Sequence, residues 1–540
     1  MRQRSVTQSA DAARVSARDV MAFGSLAALL TAFVMVLSDG GILFTSPFWV
    51  DEWLMVFEAN RPSPIQIAED LAAGADGGTP LVHLAYWLLR QVTGPLTPTV
   101  VRAFSLACVL LAMTVAFAIL RRRFSMGPSI VGSLAIGSHP LVVAHSYEGR
   151  FYGPWLLCAV IVAWLLGQRR AARESANAKS ARRGALGLAV AAFALCIVHP
   201  YGVISLGILL TGGLAAYGTG WRNGLRDISP AAYGLSALLV VVPLALGQRS
   251  AYTVRTWIPD FAPGQLTALV TQFWLATIAL VAAMLLIIAT LARRFFGQHV
   301  AMRTIVHGVK SDASLVALCA TATMPIALAV VSLVGQPSML PRYAILSTLA
   351  LAPLAALAAE VGGRWAARGM FLVVLWLWFA AYVREGVAKA NFAAGVRRVT
   401  QTYEHARPAN LPIVLYSIHL MYPLIGDAPA ERPVRFMDIP DPRLPAAFRG
   451  DSPAAQYNRG FILERDLARI HAARWGFPKL APLSALDSTS RFLLLAPVGR
   501  LPGGFRDIDH FARSMFPGHR VTRLLPDLTL LERDLKASSK

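Results

Sequence analysis

From residue 21 to about residue 388, long apolar stretches alternate with loops that hold almost every charge. No other feature constrains the fold more. Inside a bilayer the backbone finds no water, so an apolar stretch of about 20 residues must close its own hydrogen bonds as a helix. Candidate spans lie at 21–44, 99–120, 126–144, 152–167, 185–199, 202–219, 231–247, 266–291, 313–334, 343–359 and 369–384. That gives about eleven spans, although the pair flanking His199-Pro200-Tyr201-Gly202 also reads as one broken span. Composition agrees, with 55% hydrophobic and 15% charged residues against about 25% charged in soluble domains. Cys108, Cys158, Cys196 and Cys319 fall inside apolar runs and behave there as small hydrophobes. No CxxC pair occurs, so neither a zinc knuckle nor a disulfide framework is expected.

A net charge of +21 would suit a nucleic-acid partner, but its distribution points elsewhere. The N-terminal tail 1–20 carries Arg2, Arg4, Arg14 and Arg18, and the apolar run after it is too long for a signal-peptide core. Alternate loops then hold Arg121 to Arg123, Arg169 to Arg183, Arg222 and Arg226, Arg293 to Lys310, and Arg364 with Arg368. The positive-inside rule places all of these in the cytoplasm, and eleven spans satisfy every one. The excess charge is a topology signal, and no nucleic-acid partner is expected.

The opposite loops face outward. A long first outer loop, 45–98, is rich in acids, and its apolar stretch 81–89 reads as an amphipathic or re-entrant helix with Tyr86 and Trp87 at the interface. After about residue 388 the composition becomes that of a soluble domain. Segments 413–416, 491–495 and 528–532 read as strands, and 461–474 has helical spacing. The expected architecture is a mainly α polytopic membrane protein: tail 1–20, membrane domain 21–388, and an α/β extracytoplasmic domain 389–540.

Three outer segments could carry chemistry. Asp51-Glu52 follows the first span between aromatic residues. A carboxylate at a membrane surface is costly to desolvate and could accept a proton from an acceptor hydroxyl. The plainer reading is an interfacial aromatic belt beside solvated acids. Glu148-Gly149-Arg150-Phe151-Tyr152 opens the fourth span; an Arg there can hold a phosphate and a Tyr can add a donor, or both can belong to the interface. Pro341-Arg342-Tyr343 opens the tenth span and has the same two readings. His199 and Tyr201 end the fifth span, where a lone His is more often packed than catalytic. Arg255 lies in the outer loop 248–265. No Walker loop, GxSxG elbow or HExxH motif is present.

In order, these motifs resemble those of the GT-C fold glycosyltransferases, in particular the bacterial family 39-like relatives of protein O-mannosyltransferases and aminoarabinose transferases. That family has a DE or D motif after the first span, matched by Asp51-Glu52. Its D-x-H-P-P-L stretch is met by Asp76-Gly77-Gly78-Thr79-Pro80-Leu81, with Gly78-Thr79 where the family has His-Pro. The role of that histidine does not carry over, and His83, five residues beyond Gly78, is no obvious substitute. E-x-R-x-Y is kept as Glu148 to Tyr152, a T-H-Y-like element is loosely met by Val198 to Tyr201, and P-R-Y is kept as Pro341 to Tyr343. The resemblance covers roughly 20–385; the C-terminal domain carries no such motif. It implies inverting transfer of a sugar from a polyprenyl-phosphate donor to an acceptor hydroxyl or amine at the outer face of a bacterial cytoplasmic membrane. Asp51 would be the base, with Glu52 orienting it or the acceptor. Arg150, Tyr152, Arg342 and Tyr343 would hold the leaving phosphate, and Asp76, His83, Glu148, His199, Tyr201 and Arg255 are further substrate-binding candidates. A divalent ion at Asp51 and Glu52 could share the work, as in some members of the fold. The rival class is a transporter or flippase of lipid-linked sugars, which would place its polar residues near mid-bilayer.

Overall fold

A computed structural model of the chain describes residues 16–252 (except 39 and 176–177), 262–269, 271, and 308–406 (except 336). Beyond these it describes 411–415, 418–425, 434–438, 459–476, 479–482, 486, 491–495, 508–516, 518–525 and 528–533. The chain divides into two compact units: 1–45 with 99–241 and 261–387, and 46–98 with 242–260 and 388–540.

The first unit is helical and the protein is a multi-span membrane protein. Among the described residues of the chain, 7 helices are long and apolar enough to cross a bilayer, or 8 if the bent pair Met126–Gly137 and Pro140–Ser146 counts as one span. The bend of 62° falls where Pro140 cannot donate to the helix ladder; His139 caps the second segment, its Nδ1 accepting from the Leu141 amide at 3.2 Å. Several buried hydroxyls in the spans are satisfied by the helix's own backbone. Thr31, Ser133 and Ser332 return their hydroxyls to the carbonyl four residues back, at 2.7, 2.8 and 2.8 Å, which satisfies a group that would be costly to bury alone. Large apolar side chains stay exposed on Ala17–Leu37, on Leu238–Ala251 and on Met324–Val334, as surfaces meant for lipid do.

Eleven spans were expected, and the difference has local causes. The stretch 266–291 lies largely outside the described residues. Gly202–Ala215 is a helix of 14 residues, shorter than the bilayer core. The stretches 343–359 and 369–384 fall within one helical run, Pro341–Glu404. It is broken at Gly363, whose φ of 72° lies where L side chains are strained.

The arginines read as topology signals also tie helix ends together. Asp312 caps Ala313–Ala320 through the amides of Ser314 and Leu315, at 3.0 and 3.3 Å, and pairs with Arg123 at 3.1 Å. Asp227 takes Arg173 at 2.7 Å and the Tyr217 hydroxyl at 2.6 Å. Arg169 donates to the carbonyl of Asp227 at 2.7 Å.

The second unit contains the first outer loop as well as the C-terminal part. The loop forms three helices, Val50–Ala59, Pro64–Ala72 and Pro80–Thr93. The last is amphipathic, but Tyr86 does not sit at an interface: it is wholly buried with Val82 and His83. Trp87 stays partly exposed and donates to the Arg61 carbonyl at 3.1 Å. The C-terminal part holds a six-stranded sheet ordered β3-β2-β1-β4-β6-β5. The strands are β1 Ile413–Leu415, β2 Val434–Asp438, β3 Lys479–Pro482, β4 Arg491–Leu495, β5 His519–Leu525 and β6 Leu528–Arg533. Strands β1 to β4 pair in parallel, while β4–β6 and β5–β6 are antiparallel. β1 and most of β4 are buried without alternation, as central strands covered on both faces require.

Candidate functional site

In the first unit the sequence-predicted residues gather around His199. Its ring stacks on Trp155 at 4.0 Å and meets Phe151, Tyr201 and Tyr343 at 4.3, 5.3 and 5.5 Å. Trp155 is itself fixed by donating to Ser205 Oγ at 3.2 Å, and Tyr201 hydrogen-bonds Ser338. The Arg150 and Arg342 guanidiniums both act electrostatically on the His199 ring. Three segments distant in sequence, 145–155, 198–205 and 338–343, therefore build one cluster of two cations, a histidine and three tyrosines.

Local chemistry explains the placement. Pro341 starts a 3-10 turn whose Tyr343 amide bonds the Leu340 carbonyl at 3.0 Å. Arg342 lies over the Tyr343 ring at 5.6 Å, and Arg150 over Phe151 at 5.0 Å. Glu148 is engaged by His145 Nδ1 at 2.8 Å, and the His145 ring lies 4.6 Å from Tyr152. His199 Nδ1 accepts from the Tyr201 amide at 3.1 Å. That bond requires an unprotonated Nδ1, so a neutral ring carries its hydrogen on Nε2. Nε2 is buried and meets no hydrogen-bond partner among the described residues. A buried donor without a partner inside a cationic cluster is suited to an oxygen of an anionic ligand.

In the second unit Asp51 and Glu52 stand in the first turn of Val50–Ala59. Glu52 is fully buried and accepts from the Trp49 amide at 3.1 Å, the back-reaching half of a capping box. Its first task is to fix the helix start on which Asp51 stands. Phe48, Trp53 and Phe57 follow one another at 5.1 and 5.3 Å, and Phe57 continues to Tyr422 and Trp475 at 5.5 and 5.2 Å. The aromatic flank thus packs inside this unit.

Asp76 and His83 form a buried pair, Oδ2 to Nε2, at 2.9 Å. His83 Nδ1 lies 2.9 Å from the Thr79 carbonyl, which can only accept, so Nδ1 carries a hydrogen and a second proton lies between the ring and Asp76. A Cβ at Gly78 would sit 2.5 Å from His83 Cε1. The absence of a side chain at Gly78 is what admits this ring, a pairing that local spacing does not reveal. Gln248 steadies the turn by donating to the carbonyls of Asp76 and Gly78 at 3.1 and 3.0 Å.

Sequence reading also missed Glu58, Asp70 and His471. Glu58 is fully buried, and neither carboxyl oxygen has a hydrogen-bond partner among the described residues. Burial, with repulsion from Asp70 and Asp76, pushes its carboxyl up to about 9 against the pull of Arg61 and Arg474. Asp70 is raised by burial too, though Arg61 at 2.8 Å, a bond from Trp475 at 3.3 Å and more distant Arg474 oppose it. His471 stacks on Trp475 at 3.9 Å, takes the Tyr422 hydroxyl on Nδ1 and lies 2.9 Å from the Ala75 carbonyl through Nε2. Burial lowers it to about 4, so it is a neutral link between the first outer loop and the C-terminal domain.

Arg255 lies outside the described residues. Among those described, no group of three or more His, Cys, Asp or Glu side chains is placed to hold a metal ion. Glu52 Oε2 is engaged at its helix start, and the chemistry below is derived from side chains.

No protein-family model and no curated protein matches the chain. Among solved structures, the crystal structure of ArnT from Cupriavidus metallidurans in the apo state matches with a TM-score of 0.55 and 12% identity. The match covers 94% of this chain and 98% of that one. At that identity the likeness is one of fold, and over almost its full length this chain is similar in fold to ArnT.

Proposed function

We propose that the chain is a GT-C glycosyltransferase of the family its motifs resemble. It moves a sugar from a polyprenyl-phosphate donor to an acceptor hydroxyl or amine, inverting the anomeric centre, on the outer side of a bacterial cytoplasmic membrane. The likeness to ArnT supports this reading at the level of fold. The observation that carries it is the cluster in which Arg150 and Arg342 act electrostatically on His199, whose ring meets Tyr201 and Tyr343. The tail at 1–20, about eleven spans between 21 and 388 and an extracytoplasmic domain at 389–540 belong to the same proposal. The break at Gly363 supports counting two spans in Pro341–Glu404.

In this reading Asp51 takes the proton of the attacking group as its oxygen or nitrogen bonds the anomeric carbon. The bond from that carbon to the phosphate oxygen breaks, and the departing lipid phosphate keeps the electron pair. Inversion follows from a single displacement, as in inverting sugar hydrolysis with an activated nucleophile opposite the leaving group. Charge grows on the phosphate, where Arg150, Arg342, Tyr152 and Tyr343 supply fixed donors that need no reorganisation. The Nε2–H of His199 adds a neutral donor. Glu52 positions Asp51 through the helix start, and His83 holds Asp76.

Replacing Asp51 by Asn keeps the shape and removes the base. Asp51→Asn is expected to lower transfer by at least about a hundredfold while the protein still inserts in membranes at wild-type level. Near-normal transfer by this variant would contradict the assignment.

A further inference from the structure

On the basic side of the first unit, which the positive-inside rule assigns to the cytoplasm, a cleft of about 750 Å³ opens between the first span, the start of Met126–Gly137 and the helix around Gly363. Its volume falls within the roughly 300–1,000 Å³ of ligand pockets. The walls are apolar, with Leu26, Pro128, Val131, Ala367 and Phe371 among them. The polar groups are few: Arg364, Arg368, Glu360 and Ser125. Glu360 is already engaged, accepting from the amide and hydroxyl of Ser125 at 2.8 Å each. The two arginines are exposed and flank Trp365, at 5.6 and 4.9 Å from its ring. Trp365 is itself exposed, as a residue at headgroup level is. The break at Gly363, with its positive φ, separates Glu360 from Arg364 on the chain.

An apolar cleft with two guanidiniums at one end has the polarity of an anionic amphiphile. We infer that it holds one anionic phospholipid of the cytoplasmic leaflet, an acyl chain along Val131 and Phe371 and the headgroup phosphate on Arg364 and Arg368. Guanidinium forks match phosphate oxygens, and basic pockets between spans on this side suit such headgroups. This site lies among the arginine-rich loops, apart from the outer His199 cluster, and does not depend on the proposed reaction. The simpler account is two arginines reaching to water beside a cleft filled by bulk lipid. It differs in one respect: bulk filling does not select the headgroup.

Native mass spectrometry of the full chain in mild detergent separates the two. Titrated with phosphatidylglycerol and phosphatidylcholine of the same acyl chains, the wild type should retain the anionic lipid preferentially. Removing both charges with Arg364→Gln and Arg368→Gln should weaken that lipid by about thirtyfold, at roughly one contact's worth of surface electrostatics per arginine. Gly127→Leu tests the apolar wall instead. A Cβ there meets only Ala367, at 3.7 Å, so the side chain is accommodated and fills the cleft, and retention should fall with both arginines intact. The exposed pair Arg182→Gln and Arg183→Gln, in the first turns of helix Ala178–Val198, should change nothing. Equal retention of the two lipids, insensitivity to the Arg364 and Arg368 substitutions, or displacement of the lipid by inorganic phosphate would overturn the inference.

Discussion

Glu58 shows what single residues in the second unit contribute. It stands seven residues after Asp51 on Val50–Ala59, and thus on the same face, yet its setting is opposite: fully buried and held protonated up to about 9. In the unfolded chain a glutamate ionises near about 4.3, so folding takes up a proton between that value and about 9. The contribution of Glu58 is therefore complete at acid pH and is lost as pH rises through its folded value. Asp70, also raised, tilts stability the same way. The thermal midpoint of the solubilised protein should fall between about pH 5 and pH 9, and Glu58→Gln should flatten that slope and raise the midpoint at the alkaline end. An unchanged slope in the variant would remove Glu58 as its source. The cationic half of the candidate site was legible at this scale, because arginine and tyrosine at the outer ends of spans are conspicuous in an apolar sequence. Glu58 and the Asp76–His83 pair were not. Their chemistry arises from burial and from the space Gly78 leaves, neither of which is written in local spacing.

Between elements, contact is made where side chains are small or a polar group is shared. A Cβ at Gly132 would run into the Ala352 carbonyl and lie 2.9 Å from Leu120, so backbone meets backbone there, the close approach that small residues permit between spans. Gly132→Val is expected to destabilise the membrane unit by about 1–3 kcal/mol through overpacking, visible as a lower thermal midpoint and less folded protein extracted from membranes. In the second unit, helix Arg459–Trp475 is bound to the first outer loop by His471. His471→Ala leaves the Tyr422 hydroxyl and the Ala75 carbonyl without that partner, at about 1–3 kcal/mol for each buried group, and denaturant unfolding should show the loss. Because burial lowers His471 to about 4, its contribution is present above about pH 6.5 and is lost as pH falls through that lower value, the reverse of Glu58. Elements were legible where they form unbroken apolar runs, which interior strand β2, with Arg435 and Asp438, does not. β1, β4 and β6 stand out as apolar runs, and the helix expected at 461–474 extends over Arg459–Trp475. β3 and β5 are the edge strands, and the charged residues that keep edges from pairing also hide their alternation. The helices of the first outer loop are short and held by tertiary partners, so hydropathy shows only the last of them.

Over the whole molecule, charge distribution and apolar length gave the membrane class, and the order of outer motifs gave the family resemblance. The likeness to ArnT at 12% identity is one of fold. Such a fold can persist while most side chains change, because spans need apolar length more than particular residues. The central claim is that the outer charges serve the departure of a lipid phosphate. It is tested most directly by incubating the purified full chain with a panel of polyprenyl-phosphate sugars and measuring release of free polyprenyl phosphate. The account predicts release from at least one donor by the wild type, and a fall of about a hundredfold or more when Arg342 is replaced by Gln. No release from any donor, or undiminished release by Arg342→Gln, would contradict it.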